Sequence, residues 1–204
     1  MFSVKKRNQT ILDIKISSFF VIIIKRWNMK LIFVRHGQTY ANLNNLINGL
    51  NDGVLNETGI EQAKEAANKI DTYDYDFIIS SPLTRAKQTA EIINTKNKKI
   101  IYDDRIVERD FGDYTLKQVP ENESDWWNAK QVKNYENGES VIELIERVYN
   151  FIDEIKDTYP LETIIVVSHG GVYKCIMAYV NGIPEDGNIN IFDIDNCGII
   201  EFDL

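Results

Sequence analysis

The chain has 204 residues, 44% of them hydrophobic and 26% charged, with a formal net charge of -8. That length suits one domain with a substantial core, and the acidic balance excludes the basic face of a nucleic-acid binder. Two cysteines (Cys175, Cys197) and two histidines (His36, His169) make neither a disulfide framework nor a zinc spacing. No metal or other cofactor is therefore expected, and a reduced, cytoplasmic setting fits best.

Residues 1–28 read differently from the rest. Lys5-Lys6-Arg7 precedes an apolar run, Ile16–Ile24, bounded by Lys15 and Lys25. The run is shorter than the about 20 residues of a membrane helix. Asp13 and Lys15 interrupt a signal-type core, and no small-x-small cleavage site follows. Met29-Lys30 reads as a natural start. Residues 1–28 are thus expected to be an extension, non-native or disordered, with no membrane partner, and 29–204 the domain.

Leu31-Ile32-Phe33-Val34 is an unbroken apolar run, the mark of a strand buried on both faces. It leads straight into Arg35-His36-Gly37-Gln38-Thr39. Ligands of open α/β sheets bind beyond the carboxyl ends of the strands, although one such histidine could simply close a strand. The Asn-rich stretch Gln38–Val54 predicts a loop at that edge, most of its asparagines being turn formers. Asn56 can cap a helix running to Asp71, with Glu57 in its first turn. Phe77–Ser80 is a short strand, followed by Ser81-Pro82-Leu83-Thr84-Arg85. Pro82 suits the first turn of a helix, which places Arg85 one turn in, at the same edge as His36. On its own Arg85 reads as an exposed helical arginine.

Lys99–Tyr102 is a third strand candidate. Asp104–Gly112 is charged, with apolar anchors. Glu121–Asn137 is loop or short helix and carries Trp126, Trp127 and Tyr135. Ser140–Tyr159 is an amphipathic helix whose stripe, Val141 to Ile155, is core. Ile164–Val167 repeats the buried-strand pattern and ends in Ser168-His169-Gly170-Gly171, which opens a helix through Val180. Asn190–Ile194 and Gly198–Phe202 predict a hairpin around Asp195-Asn196. Both histidines of the chain stand at the ends of apolar strands, which favours one two-histidine site over two unrelated strand caps. Strands alternating with helices predict an α/β three-layer sandwich, a mostly parallel sheet flanked by helices.

Taken together these blocks resemble the histidine phosphatase superfamily, the phosphoglycerate-mutase-like fold. The resemblance covers nearly all of Met29–Leu204. Arg35-His36-Gly37-Gln38-Thr39 with Asn42 looks like its first motif, and Gly49 to Gly59, leading to Gln62-Ala63, its second. Ser80-Ser81-Pro82-Leu83-Thr84-Arg85-Ala86 is similar to the block with the second phosphate-binding arginine. Glu108, ahead of Phe111-Gly112, matches the proton donor, and Gly138-Glu139-Ser140 and Ser168-His169-Gly170 complete the set. The sequence departs from the family at Val54, Asn56 and Tyr114-Thr115-Leu116, in a turn and a loop.

The resemblance implies a phosphatase. His36 is the nucleophile. Arg35, Arg85, Asn42, Gln38, Thr39, the amides following Gly170 and, if protonated, His169 bind phosphate. Glu108 moves the proton. Forked guanidinium bonds suit phosphoryl oxygens, and nearby arginines favour a neutral His36. Without the resemblance, Glu108 reads as a solvated acid paired with Arg105 or Arg109, and Glu139 as a helix-dipole partner. The implied substrate is a small phosphorylated metabolite, of ribazole-phosphate or phosphosugar type. Trp126, Trp127 and Tyr135 offer either an apolar lid over its leaving group or ordinary packing. A phosphoglycerate mutase is the second reading. The long cationic insertion that family mutases carry between acid and second histidine is missing here, and acids outnumber bases from Asp113 to Pro160. A binding protein without turnover is the third.

Overall fold

The computed structural model describes residues 29–120, 126–130 and 137–204. The expectations for residues 1–28 and for Tyr135 lie outside them. Among the described residues the strands are β1 (Lys30–Arg35), β2 (Phe77–Ser80), β3 (Ile100–Tyr102), β4 (Thr163–Ser168) and β5 (Ile199–Asp203). The helices are α1 (Tyr40–Leu43), α2 (Glu57–Ile70), α3 (Thr84–Ile93), α4 (Val141–Thr158) and α5 (Gly170–Asn181). No helix among these residues is long and apolar enough to cross a membrane.

The sheet runs β3-β2-β4-β1-β5. Its first four strands are parallel, and β5 lies antiparallel against β1. Successive strand residues point to opposite faces. Leu31, Phe33, Ile164 and Val166 therefore pack with α4 and α5, and Ile32, Val34, Ile165 and Val167 with α2 and α3. All eight side chains are fully buried, each contributing about 1.5–3 kcal/mol of transfer free energy. This is why both central strands read as continuous apolar runs, and it gives the three-layer α/β sandwich expected.

Local chemistry sets the helix starts. Asn56 caps α2 by accepting from Gly59 N–H, and Ser140 with Glu143 forms a capping box on α4. The α4 stripe from Val141 to Ile155 is buried as predicted. Helix α3 begins at Thr84, so Pro82 lies ahead of it and Arg85 is its second residue. Leu83 cannot cap this helix; the Asp52 carboxylate instead takes Thr84 N–H and Oγ1–H at 2.6 and 2.9 Å.

The predicted C-terminal hairpin is not formed. Ile189–Ile191 is a 3-10 turn capped by Asn188, and β5 pairs with β1 rather than with residues 190–194. The apolar residues of this segment serve the core instead, Ile189 and Ile194 both tucking in beside α5. The 194–197 loop grips the end of β1: Cys197 N–H donates to Arg35 O at 3.0 Å and Asn196 Nδ2 to His36 O at 2.9 Å.

Candidate active site

Strand register brings the histidines together. Arg35 pairs with Ser168 across β1 and β4, so His36 and His169 leave the sheet side by side. Their ring centroids are 5.1 Å apart. Strand β2 flanks β4 on its other side, and the first turn of α3 therefore delivers Arg85 to the same point. Its Nε–H donates to His36 Nε2 at 3.2 Å. Arg85 is wholly buried, not an exposed helical arginine.

These contacts define the His36 tautomer. Nδ1 lies 2.7 Å from Gly37 O, which can only accept, so Nδ1 carries the proton. Arg85 Nε–H can only donate, so Nε2 is bare. The backbone around the ring is tightly held. Gly37 N–H donates to Thr89 Oγ1 at 3.1 Å, and a Cβ on Gly37 would stand 2.5 Å from Gly59 O, where α2 starts.

Both imidazoles are held well below the ordinary histidine value of 6.5, by burial first and the Arg85 charge second. Burial thus outweighs the arginines that the sequence pointed to, and it favours the neutral ring at His169 as well as at His36. Burial also lowers Arg85, to about 10, which leaves it cationic at neutral pH. An unfolded chain takes up protons near pH 6.5 that the folded chain refuses, so stability is lost as pH falls through that value. Two such groups steepen the loss by up to about 2.7 kcal/mol per pH unit. The thermal midpoint should accordingly fall between pH 7 and pH 5; a flat midpoint over that window would mean that the folded chain protonates these rings.

Arg85 does not offer its fork as expected. Its Nη1 and Nη2 donate to Asn51 O (2.6 Å) and Gly49 O (2.9 Å) of the Asn-rich loop, leaving Nε toward His36. Arg35 donates through Nη1 to Ile194 O, while its Nε is buried without a partner. The other such buried atom among the described residues is His169 Nδ1.

A cavity of about 340 Å³ opens on this edge. Arg35, His36, Asn42, Glu108 and Gly170 line it, together with Phe111, Trp126 and Trp127. Arg85 and His169 adjoin His36 without lining the cavity. Asn42 Oδ1 accepts from Thr39 N–H and Oγ1–H at 3.0 and 2.9 Å, capping α1. Thr39 and Gln38 are not among the residues that line the cavity. Thr39 Oγ1 is engaged with Asn42 and Asn48, and Gln38 with Gln62 and Asn56.

Glu108 is held by backbone donors rather than by Arg105, which pairs with Asp103 and Glu154. Its Oε1 accepts from Arg109 N–H at 2.8 Å and Gly171 N–H at 3.2 Å. The first amide of α5 that meets an anion is thus already on Glu108. A Cβ at Gly171 would lie 2.3 Å from Glu108 Oε1 and 2.9 Å from the Trp127 ring. Gly171→Ala should therefore push the carboxylate aside, lowering kcat about tenfold with a thermal midpoint little changed; an unchanged kcat would show that the carboxylate position does not matter.

Sequence reasoning missed the clamp on this segment. Arg147, from α4, donates to Arg105 O, Val107 O and Glu108 O at 2.7, 2.9 and 3.1 Å, and pairs with Glu139. Glu139 is thus an anchor of the Glu108 loop and not simply a dipole partner. Arg147 carried no signal, because one arginine on an amphipathic helix looks like any other. Asn196 was missed because it read as a turn former of the supposed hairpin.

Comparison with known proteins agrees with this geometry. The sequence profile of the histidine phosphatase superfamily (branch 1) matches residues 31–204. Phosphoserine phosphatase 1 of Hydrogenobacter thermophilus is 35% identical over 149 residues, 69% of this chain and 71% of that protein. The adenosylcobalamin/alpha-ribazole phosphatase of Escherichia coli is 30% identical over 166 residues, covering 78% and 82%. The crystal structure of the alpha-ribazole phosphatase from Shigella flexneri superposes with a TM-score of 0.76 at 29% identity, over 86% of this chain and 91% of that one. The chain belongs to the histidine phosphatase superfamily, branch 1, and is a phosphatase.

Proposed function

We propose that the chain hydrolyses small phosphomonoesters without a metal, through a phosphohistidine on His36. One observation carries this: two buried nitrogens without protein partners, Arg35 Nε and His169 Nδ1, belong to the same small site as a bare His36 Nε2. Buried polar atoms are normally satisfied, and a phosphoryl dianion meeting the nucleophile gives Arg35 Nε–H the acceptor it lacks.

In the first step His36 Nε2 forms a bond to phosphorus as the bond to the leaving oxygen breaks. Arg85 Nε–H passes from Nε2 to a phosphoryl oxygen, and Arg35 neutralises another. Such preplaced charge supplies most of the catalysis in phosphoryl transfer. Glu108 gives a proton to the leaving oxygen and then takes one from the water that attacks the phosphohistidine. Inorganic phosphate and the free His36 ring result.

The cavity suits a leaving group of metabolite size. Trp126 packs against Tyr114 at 4.9 Å and Phe111 at 5.9 Å, and with Trp127 makes one apolar wall. Lys174 and Asp193, 3.8 Å apart, put both signs of charge on its lining. Ribazole-phosphate, phosphosugar and phosphoserine substrates belong in one assay panel, since the relatives named above act on the first and last of these types. Trp126→Ala should raise KM for the preferred substrate about five- to tenfold, roughly the value of a ring contact, yet leave KM for a small alkyl phosphate unchanged. Equal effects on both would remove the lid.

The deciding experiment is turnover of a chromogenic phosphate ester in chelator, with acid-labile, alkali-stable phosphate sought on His36. Turnover without metal and with that adduct supports the proposal. Activity only with a bisphosphate primer and phosphoglycerate would replace it with a mutase, and no turnover would leave a binding protein.

A further inference from the structure

We infer that Ser81 sets the tautomer of His169, so that this second imidazole presents its Nδ1–H to the transferring phosphoryl group. The inference rests on the phosphohistidine reading above and assigns the residue that orients its neutral donor.

Ser81 follows directly on β2, and its N–H donates to Val167 O at 3.0 Å, placing it against the end of β4. Ser81 and His169 are both completely buried. Ser81 Oγ lies 2.8 Å from His169 Nε2 and accepts a bond from Leu83 N–H at 3.3 Å. A hydroxyl has one proton to give, and His169 Nε2 is the acceptor these contacts offer it. The bonds can then be counted for each tautomer. With the proton on Nε2, the ring donates to Ser81, the hydroxyl hydrogen is buried without an acceptor among the described residues, and Nδ1 is a buried lone pair that also lacks a partner. With the proton on Nδ1, Ser81 and Nε2 satisfy each other, and a single group is left over, the Nδ1–H.

That remaining group is a donor. An anion against His36, whose ring centroid is 5.1 Å away, supplies the acceptor it lacks, whereas a bare Nδ1 would repel the same anion. Desolvation keeps His169 neutral, so its contribution to phosphate binding depends on which nitrogen holds the one proton. Ser81 is therefore a positioning residue. It touches neither substrate nor nucleophile and acts through His169. Its place in a Ser-Pro-Leu-Thr-Arg run also links it to Arg85, so one strand end orients two of the phosphoryl donors.

With two histidines in the chain, the imidazole nitrogens of an untagged, 15N-labelled protein can be assigned separately by NMR. At pH 7.5 His169 is expected to be protonated on Nδ1 and bare on Nε2, and inorganic phosphate should move the Nδ1–H resonance. Ser81→Ala should shift the proton toward Nε2, weaken inorganic phosphate binding about tenfold and lower kcat by a similar factor, roughly the value of one oriented donor to a charged group. Ser81→Thr keeps the hydroxyl and should keep the tautomer. A wild-type His169 protonated on Nε2, or a Ser81→Ala chain with an unchanged tautomer, overturns the inference. The wild-type spectrum decides the first point even if Ser81→Ala does not fold. A chain that forms phosphohistidine but has the opposite tautomer overturns this inference alone. A chain that forms none overturns the proposed function and the donor role with it.

Discussion

A His36→Ala chain should lose at least about 10⁴-fold in kcat, since removing a covalent nucleophile costs that much or more, and should form no phosphohistidine. The reason is geometric. His36 Nε2 is the bare ring nitrogen held in place by Gly37 O on one side and Arg85 on the other, and no other described group combines a free lone pair with these cations. His169 cannot stand in, because its Nε2 is engaged with Ser81 Oγ. The fold should survive the substitution. His36 lies beyond the end of β1, whose pairing with β4 and β5 is by backbone, and the alanine chain no longer buries an imidazole against two guanidinium groups. Unfolding midpoint and inorganic phosphate binding serve as controls. Ester cleavage within tenfold of wild type would remove the nucleophile assignment altogether.

Glu108→Gln should produce a loss that depends on the leaving group. For an alkyl phosphate, whose departing oxygen needs a proton, kcat should fall about 10²- to 10⁴-fold, the range typical of a general acid–base group. For a nitrophenyl ester, which leaves without help, formation of the phosphohistidine should be slowed far less. Its hydrolysis still lacks a base, so the phosphoenzyme should accumulate and give a burst of nitrophenol in rapid-quench measurements. Glutamine is close in shape and can still accept from Arg109 N–H and Gly171 N–H through its carbonyl oxygen; the comparison therefore isolates the proton. A uniform loss across leaving groups, with no burst, would assign Glu108 to binding alone.

The local grammar of the chain was largely legible. Two unbroken apolar runs can be buried only in the middle of a sheet covered on both faces, and a histidine placed directly after each run must emerge at its carboxyl edge. The Asn56 cap and the α4 stripe follow equally from spacing within one helix. Failures came where the deciding contact is distant in sequence. Residues 190–194 read as a strand, but Ile189 and Ile194 serve the core beside α5, and β5 takes β1 as its partner. Gln38 and Thr39 sit in a motif that suggests phosphate contact, but they also close the loop on itself: Gln62 takes the Gln38 backbone N–H, and Asn56 and Asn48 donate to the Gln38 and Thr39 side chains. Nothing within a few residues of either signals those partners.

The sequence by itself determined most of the elements, their order and the identity of the chemical groups, because strand burial, helix periodicity and caps depend on neighbours a few positions away. Only the tertiary structure decided what those groups are chemically. The tautomer of His36, the fork of Arg85 turned onto Gly49 and Asn51, the neutral state of His169 and the hold of Gly171 on Glu108 all depend on which donors and acceptors meet across the sheet edge. Protonation and hydrogen-bond direction are set by desolvation and by partners tens of residues away, and those are properties of the assembled fold, not of any single segment.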